Sequence, residues 1–277
     1  MRSTALTTFT GLGLAAVAAF GLTACGSDSG GSGSDKTSQA PESKKPDPAK
    51  EPFAGLSGKQ ISDKAEEATK SASSLRIKGS GPNDDGGRIT MDLALDRQGR
   101  CAGTIGMAEQ GSADLVRTGS TLYMKYDEDF VRALGKTGSK AETDAMVQML
   151  AGRWVKMNAK SPDAKEFDEL CDLDNMLSDL TDGDDDGDGG KDKSVIRRGK
   201  ATTLGGTPAF TLDSKDKDGH GTLYIATEGK PYLLKADGVD KKNKPLEMTF
   251  TDYDKPVRAN PPAGKVLDLD ALSKLGT

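Results

Sequence analysis

The sequence predicts one α+β domain in which helices gather on one face of an antiparallel sheet. Segments of alternating apolar and polar residues form two runs, and several helical segments lie between those runs. Regularly alternating strand–helix units are missing, as are the phosphate-binding motifs G-x-G-x-x-G and G-x-x-x-x-G-K-[ST]. These observations disfavour a nucleotide-binding α/β fold.

The first 25 residues predict export from the cytosol. After Arg2 the next charged residue is Asp28, and Leu12–Leu22 is an unbroken run of 11 Gly, Ala and other apolar residues. A permanent transmembrane helix takes about 20 apolar residues. We therefore interpret residues 1–24 as a lipoprotein signal peptide, with a retained membrane helix as the alternative.

The end of this run resembles a bacterial lipobox, in which a cysteine receives a diacylglycerol and becomes the N-terminus. The matching residues are Leu22, Thr23, Ala24 and Cys25. The resemblance implies that Cys25 anchors the chain to the extracytoplasmic face of the cell membrane. Two or three acyl chains on this residue would hold the protein stably in the bilayer. Residues 25–52 are rich in Gly, Ser, Pro and charged residues, which predicts a flexible tether.

The domain itself, residues 53–277, is expected to open with a helix. Ser57 and Gln60 have capping-box spacing, and a face of small or apolar residues follows at Ile61, Ala65, Ala68 and Ala72. Alternating apolar and polar residues, interrupted by Gly-rich turns, then predict an antiparallel meander. Its strands are expected at 75–77, 89–96, 101–108, 113–117 and 121–126.

The middle of the chain predicts helices over 127–134 and 140–150 and a strand over 153–158. A longer helix is predicted from Pro162, with Cys171 inside it and with Phe167, Leu170, Leu173, Leu177 and Leu180 on its apolar face. Farther along, alternation predicts strands over 195–204, 209–212, 222–227, 231–236 and 246–250.

Three cysteines constrain the exported protein. If Cys25 carries lipid, Cys101 and Cys171 remain outside the reducing cytosol, and we expect them to form a disulfide. Two free buried thiols are the alternative. A zinc site is disfavoured because zinc takes four ligands at short spacings. We expect no metal and no other cofactor.

Charge is segregated along the chain. The segment from Asp163 to Asp192 contains 13 acidic residues and two lysines, a net charge of -11, whereas the whole chain carries -5. Residues 181–193 are interpreted as a solvated, disordered insertion. Asp182, Asp184, Asp186 and Gly187 have EF-hand spacing, but Lys193 replaces the required glutamate, so calcium binding is disfavoured.

The composition also excludes several functions. Because the net charge is negative, the protein has no overall positive potential that would attract the phosphates of a nucleic acid. The single histidine, His220, falls in a predicted Gly-rich turn, and no set of catalytic residues is visible around it. We therefore expect no enzymatic activity, and His220 remains the one residue on which a hydrolase hypothesis depends.

A series of landmarks resembles actinobacterial envelope lipoproteins of the LppX and LprG type. After the lipobox these are SSLRIKGS, VRTGSTLYMKYDEDF, GRWVKMN, GGTPAFTLDS, GTLYIATEGKPYLLKADG, LEMTFTDYDKPV and NPPAGKVLDL. The resemblance implies a LolA-like fold, which is a strongly curved antiparallel sheet, or open half-barrel, with helices covering its concave face. It also implies an apolar cavity between sheet and helices, in which several family members carry lipids.

Apolar residues at alternating strand positions are the candidates for lining such a cavity. They are Met91, Leu93, Leu95, Ile105, Met107, Leu122, Met124, Leu223, Ile225, Met248 and Phe250. Methionine adapts to variable apolar ligands, although the same alternation also fits a filled core. The expected function is binding or shuttling of an acyl-chain lipid or other apolar molecule by a monomer. The alternative is an accessory or sensor lipoprotein that acts through an envelope protein partner.

Overall fold

The computed structural model describes residues 51–83, 87–181, 194–217 and 219–273. The chain divides into two units, residues 1–48 and 49–277, and the described residues all belong to the second. The signal peptide, the lipobox with Cys25, nearly all of the tether and the acidic stretch 182–193 therefore lie outside the described residues.

One open, curved sheet of twelve strands organises the described residues. The strands are β1 (Ser74–Pro82), β2 (Arg88–Asp96), β3 (Cys101–Met107), β4 (Gly111–Thr118), β5 (Thr121–Tyr126), β6 (Trp154–Asn158), β7 (Val195–Leu204), β8 (Thr207–Lys215), β9 (Gly219–Ala226), β10 (Leu233–Asp240), β11 (Pro245–Thr251) and β12 (Val266–Asp268). Their spatial order is β12-β6-β5-β4-β3-β2-β1-β11-β10-β9-β8-β7. All neighbours are antiparallel except β12 and β6, which confirms the predicted α+β class.

Helices cover one face of this sheet, here called the inner face. They are α1 (Gly58–Lys70), α2 (Glu128–Leu134), α3 (Lys140–Leu150), α4 (Lys165–Glu169), α5 (Leu173–Thr181) and α6 (Leu269–Ser273). The main core joins inner-face residues of β1–β6 and β11 to α2, α3 and the α4–α5 segment. A second core packs Ile61 and Ala65 of α1 on Phe210, Leu212 and Ile225.

The predicted capping box of α1 is confirmed. The Ser57 hydroxyl accepts from the Gln60 amide at 3.2 Å, and the Gln60 side chain accepts from the Ser57 amide at 2.9 Å. The buried face differs by one position, since Ala68 is half-buried and Thr69 is buried. The Thr69 hydroxyl accepts from the amide of Leu233 at 3.0 Å, so a polar residue joins the helix to β10.

Arg198 of β7 holds the segment that leads into α1. Its guanidinium donates to the carbonyls of Phe53 at 2.8 Å and Leu56 at 2.7 Å, and it lies 4.8 Å from the ring centroid of Phe210. A Cβ on Gly58 would lie only 2.5 Å from the Ile196 carbonyl oxygen, so the helix begins directly against this edge strand. Such cover limits edge-to-edge association of sheets.

The long helix predicted from Pro162 is wrong. The structure has a 3₁₀ turn at Pro162–Ala164, then α4 and α5, and Cys171 lies in the turn between these two helices. Asp172 explains the break, because its carboxylate accepts from the amides of Asp174 at 3.0 Å and Asn175 at 3.1 Å. An acidic N-cap that satisfies free amides begins a new helix even where apolar spacing is continuous.

A disulfide joins Cys101, the first residue of β3, to Cys171, with 5.3 Å between the two Cα atoms. Both residues are buried. Two ion pairs support the same attachment, one between Arg117 and Asp168 and one between Arg97 and Asp174. The α4–α5 segment is thus fastened to one end of the sheet at three points.

The last strand and helix, β12 and α6, were not predicted. After β11, residues 255–258 lie beside Ala94 and Ala102 on the outer face, and Val257 and Ala259 are buried. The segment then places β12 parallel to β6, where Lys156 and Asp268 pair at 3.0 Å. A three-residue strand carries too little alternation to be recognised in a sequence.

A polar cluster fixes the turn after β11. The carboxylate of Asp254 accepts from the Tyr232 hydroxyl at 2.6 Å and from the Ser73 amide at 2.8 Å. The Tyr232 ring stacks on Tyr253 with 3.9 Å between centroids. The Tyr232 hydrogen bond, followed by that of the Ser73 amide, lowers the pKa of Asp254 to about 2.

We predict that Asp254→Asn lowers the free energy of unfolding by about 1 to 2 kcal/mol near neutral pH, because a charged acceptor is lost. A lowered folded-state pKa stabilises the fold above about pH 4, and this contribution disappears as the pH falls through about 2. The difference between wild type and variant therefore shrinks across that interval in urea unfolding curves. Asp252→Asn is the control, since Asp252 also has a positive φ but pairs only locally, with Lys255. An equal effect of the control would contradict the assignment.

We predict that Cys101→Ala with Cys171→Ala lowers the free energy of unfolding by roughly 2 to 5 kcal/mol, because the bond closes a long loop. A Cys25→Ser chain, denatured without reductant, should show no reactive thiol, and two after reduction. Labelling before reduction would contradict the bond.

Candidate functional site

The eleven cavity candidates all lie on the inner face, as the ladder registers require. Seven are at most 9% exposed and pack within the cores, so they line no open space: Leu93, Leu95, Ile105, Leu122, Met124, Ile225 and Phe250. Met91, Met107, Leu223 and Met248 are half-buried. The candidates therefore share one face of the sheet, and the half-buried ones lie toward one end of it.

Burial changes along β1 and β2 in the same direction. On β1, Leu75 and Ile77 are buried, whereas Gly79 and Gly81 are half-buried. Their partners on β2 show the same change, since Leu95 and Leu93 are buried whereas Met91 and Ile89 are half-buried. The helices therefore cover one end of these strands more completely than the other.

The neighbouring strands repeat this gradient. On β11, Phe250 is buried and Met248 and Leu246 are half-buried, and β9 goes from buried Ile225 to half-buried Leu223. Register places these half-buried positions side by side. We call this surface the apolar trough, and it consists of Gly79, Gly81, Ile89, Met91, Met107, Gly221, Leu223, Ala236, Gly238, Leu246 and Met248.

Glycines form part of the trough floor. Gly79 lies between Met91 and Met248, and a Cβ on it would lie 2.9 Å from the Met248 Cγ atom, so that side chain extends over the glycine. Gly221 and Gly238 face each other across β9 and β10. A Cβ on Gly81 would have one neighbour within 4 Å, the Leu246 Cβ at 3.8 Å, which leaves free space above it.

Methionines of the helices pack on the same main core as the methionines of the trough. Met146 of α3 and Met176 of α5 are half-buried and pack on the main core, as Met91, Met107 and Met248 do from the sheet. Flexible thioether side chains adapt to ligands of different shape. Sequence reasoning missed the two helical methionines and the glycines, although the glycines continue the period-two pattern of their strands.

The trough offers apolar contact and no acid–base chemistry, since its eleven positions are Gly, Ala, Ile, Leu and Met. Tyr126, deeper in the main core, stacks on Phe130, and burial raises the pKa of its hydroxyl to about 12. It stays neutral at physiological pH. Within the described ranges, no three His, Cys, Asp or Glu side chains are grouped as metal ligands.

His220 lies in β9, not in the predicted turn, and it is exposed. Its neighbours Gly219 and Gly221 were interpreted as turn residues. In the sheet, a Cβ on either glycine would overlap the carbonyl oxygen of Val239 or Asp237 on β10. The glycines therefore permit close strand approach.

In the part of the chain that the structure describes, no helix has the length and hydropathy needed to cross a membrane.

No protein-family model matches the sequence, and no curated protein matches it. Solved structures that match include lipoprotein LppX of Mycobacterium tuberculosis, at 13% identity and a TM-score of 0.45, over 73% of this chain and 97% of that chain. LprF of Mycobacterium bovis matches at 15% identity and a TM-score of 0.49, over 75% and 97%.

A LolA superfamily protein of Nitrosomonas europaea also matches, at 7% identity and a TM-score of 0.24, over 73% of this chain and 95% of that chain. Structures of the expected type are thus among those that the chain resembles. At these identities and TM-scores, the likeness carries no argument about ligand or partner.

We predict that Gly79→Ala lowers the free energy of unfolding by about 1 to 3 kcal/mol, because its methyl group would overlap the Glu247 carbonyl and crowd Met248. Gly81→Ala should change it by less than about 0.5 kcal/mol, since that position is open. Thermal unfolding of both variants tests the geometry, and equal losses would contradict it.

Proposed function

We propose that this protein is a lipid-anchored extracytoplasmic lipoprotein that binds an acyl-chain lipid or another apolar molecule in the apolar trough and shuttles it. One observation carries the proposal. Burial of the inner face decreases toward the same end on adjacent strands, and the half-buried positions there are apolar or glycine.

Contact between water and such a surface is unfavourable, by about 25 cal/mol for each Å² of apolar area. Contiguous exposed apolar surface on a soluble protein commonly marks a binding site. Here Gly81 leaves open space beside Leu246, and Gly79, Gly221 and Gly238 contribute backbone without a side chain. An alkyl chain would cover the apolar surface without needing hydrogen bonds.

The sequence supports the proposed location. A short apolar run followed by Leu22, Thr23, Ala24 and Cys25 favours export and lipidation. Two or three acyl chains on Cys25 would keep the domain at the membrane. Residues 26–52 would allow it to move relative to the lipid surface.

We predict that Gly81→Leu weakens binding of a fluorescent fatty acid by about 2 to 3 kcal/mol, or 30- to 150-fold, because three or four methylenes are displaced from the trough. Thr90→Leu is the matched control, since Thr90 pairs with Ser80 on the exposed outer face at the same height. Both variants should keep the wild-type unfolding midpoint.

Native mass spectrometry of a Cys25→Ser chain purified from its own host should detect a bound lipid. If no lipid co-purifies and no fatty acid is taken up, the carrier proposal fails. An accessory role through a protein partner would then be the better account.

A further inference from the structure

The methionines of this protein differ in how far water can reach them. The sequence contains nine, and the structure describes eight of these. Met124 and Met157 are buried in the main core, whereas Met149 of α3 is 42% exposed. The other five are half-buried and pack on the main core: Met91, Met107, Met146, Met176 and Met248. A half-buried thioether can contact both an apolar ligand and a small solute from the water.

Two of the half-buried methionines lie on either side of one glycine of the trough. In the ladder, Gly79 of β1 pairs with Met91 of β2 and with Met248 of β11. A Cβ on Gly79 would lie 2.9 Å from the Met248 Cγ atom, so this side chain extends over the glycine toward the strand that carries Met91. Met107 lies diagonally from Met91, because it pairs with Ile89. Methionines of three strands thus lie in one part of the trough.

The thioether is the one group of the trough that an oxidant can change. The eleven positions hold Gly, Ala, Ile, Leu and Met, and of these only methionine has a side-chain atom that a peroxide oxidises readily. The sulfur donates an electron pair to one oxygen of hydrogen peroxide, the O–O bond breaks, and the products are a sulfoxide and water. Sulfur is oxidised and the peroxide is reduced by the same electron pair. A flexible apolar side chain thereby becomes polar.

We propose that Met91 and Met248 are oxidation sites that control the trough, such that hydrogen peroxide outside the cytosol converts them to sulfoxides and the trough no longer holds an apolar ligand. This inference rests on the proposed function, because it assigns a regulation to the same site. An alkyl chain cannot donate a hydrogen bond to a sulfoxide oxygen, so covering a sulfoxide costs free energy that covering a thioether does not. A bound chain would also shield both sulfurs from peroxide.

The first test maps oxidation by peptide mass spectrometry in a Cys25→Ser chain treated with hydrogen peroxide, with and without a saturating fatty acid. We expect Met91 and Met248 to oxidise faster than the buried Met124, and the fatty acid to protect them. Met149 is the internal control, since it is exposed and lies outside the trough, and it should oxidise at the same rate in both samples. Equal protection of Met149, or no difference between Met91 and Met124, would overturn the proposal.

The second test measures binding of a fluorescent fatty acid before and after oxidation. Oxidation should weaken binding to the wild type about 10- to 100-fold, as expected for a polar group covered without a partner. Met91→Leu with Met248→Leu conserves volume and should keep its affinity after treatment, although its other methionines still oxidise. Met248→Gln should reproduce the loss without peroxide, and Met149→Gln is the matched control. All variants should keep the wild-type unfolding midpoint.

The outcomes separate this inference from the proposed function. An equal loss in the wild type and the double-leucine variant would overturn the assignment of Met91 and Met248. Unchanged affinity of the oxidised wild type would overturn the regulation and leave the trough standing as a ligand site. No binding by the untreated protein would overturn the proposed function and this inference with it.

Discussion

The constraint on which this structure depends is that a twelve-stranded sheet has a large apolar face that must be kept from water. Side chains alternate across a strand, so every strand sends half of its residues to the inner face. The helices of the described residues cover that face fully where Leu75, Leu95 and Phe250 lie. Toward Gly81 and Ile89 the inner-face residues are only half-buried. Core and trough are thus two parts of the same inner face, and they differ in how completely the helices cover them.

The covalent and ionic attachments are distributed in agreement with this division. The Cys101–Cys171 bond and the pairs Arg97–Asp174 and Arg117–Asp168 all fasten the α4–α5 segment at the covered end. Cross-links there restrict the unfolded chain and hold short helices that could not fold alone. These attachments lie at the covered end and not among the trough positions Gly81, Ile89 and Leu246.

Much of the fold could be predicted from the sequence because alternation and capping act locally. The helix at 140–150 and the strands at 121–126 and 195–204 match the predicted bounds. The errors occur where one residue has a role that depends on its partners. Asp172 caps a helix and divides a continuous apolar stripe, and Gly219 and Gly221 belong to a strand because β10 lies so close. The trough depends on helix placement, which no strand pattern encodes, so alternation marked buried Leu93 and half-buried Met91 alike.

Within the proposed function, partial burial favours transfer of a lipid over its storage. A fully buried chain of about 16 carbons would gain roughly 12 kcal/mol, at about 0.8 kcal/mol for each methylene, before ordering costs. If the trough buries only part of the chain, the gain is correspondingly smaller. A bilayer would recover such a ligand readily. Under the proposed function, half-buried methionines and glycines at the open end would therefore suit exchange of a ligand with a membrane, whereas a sealed cavity would suit its retention.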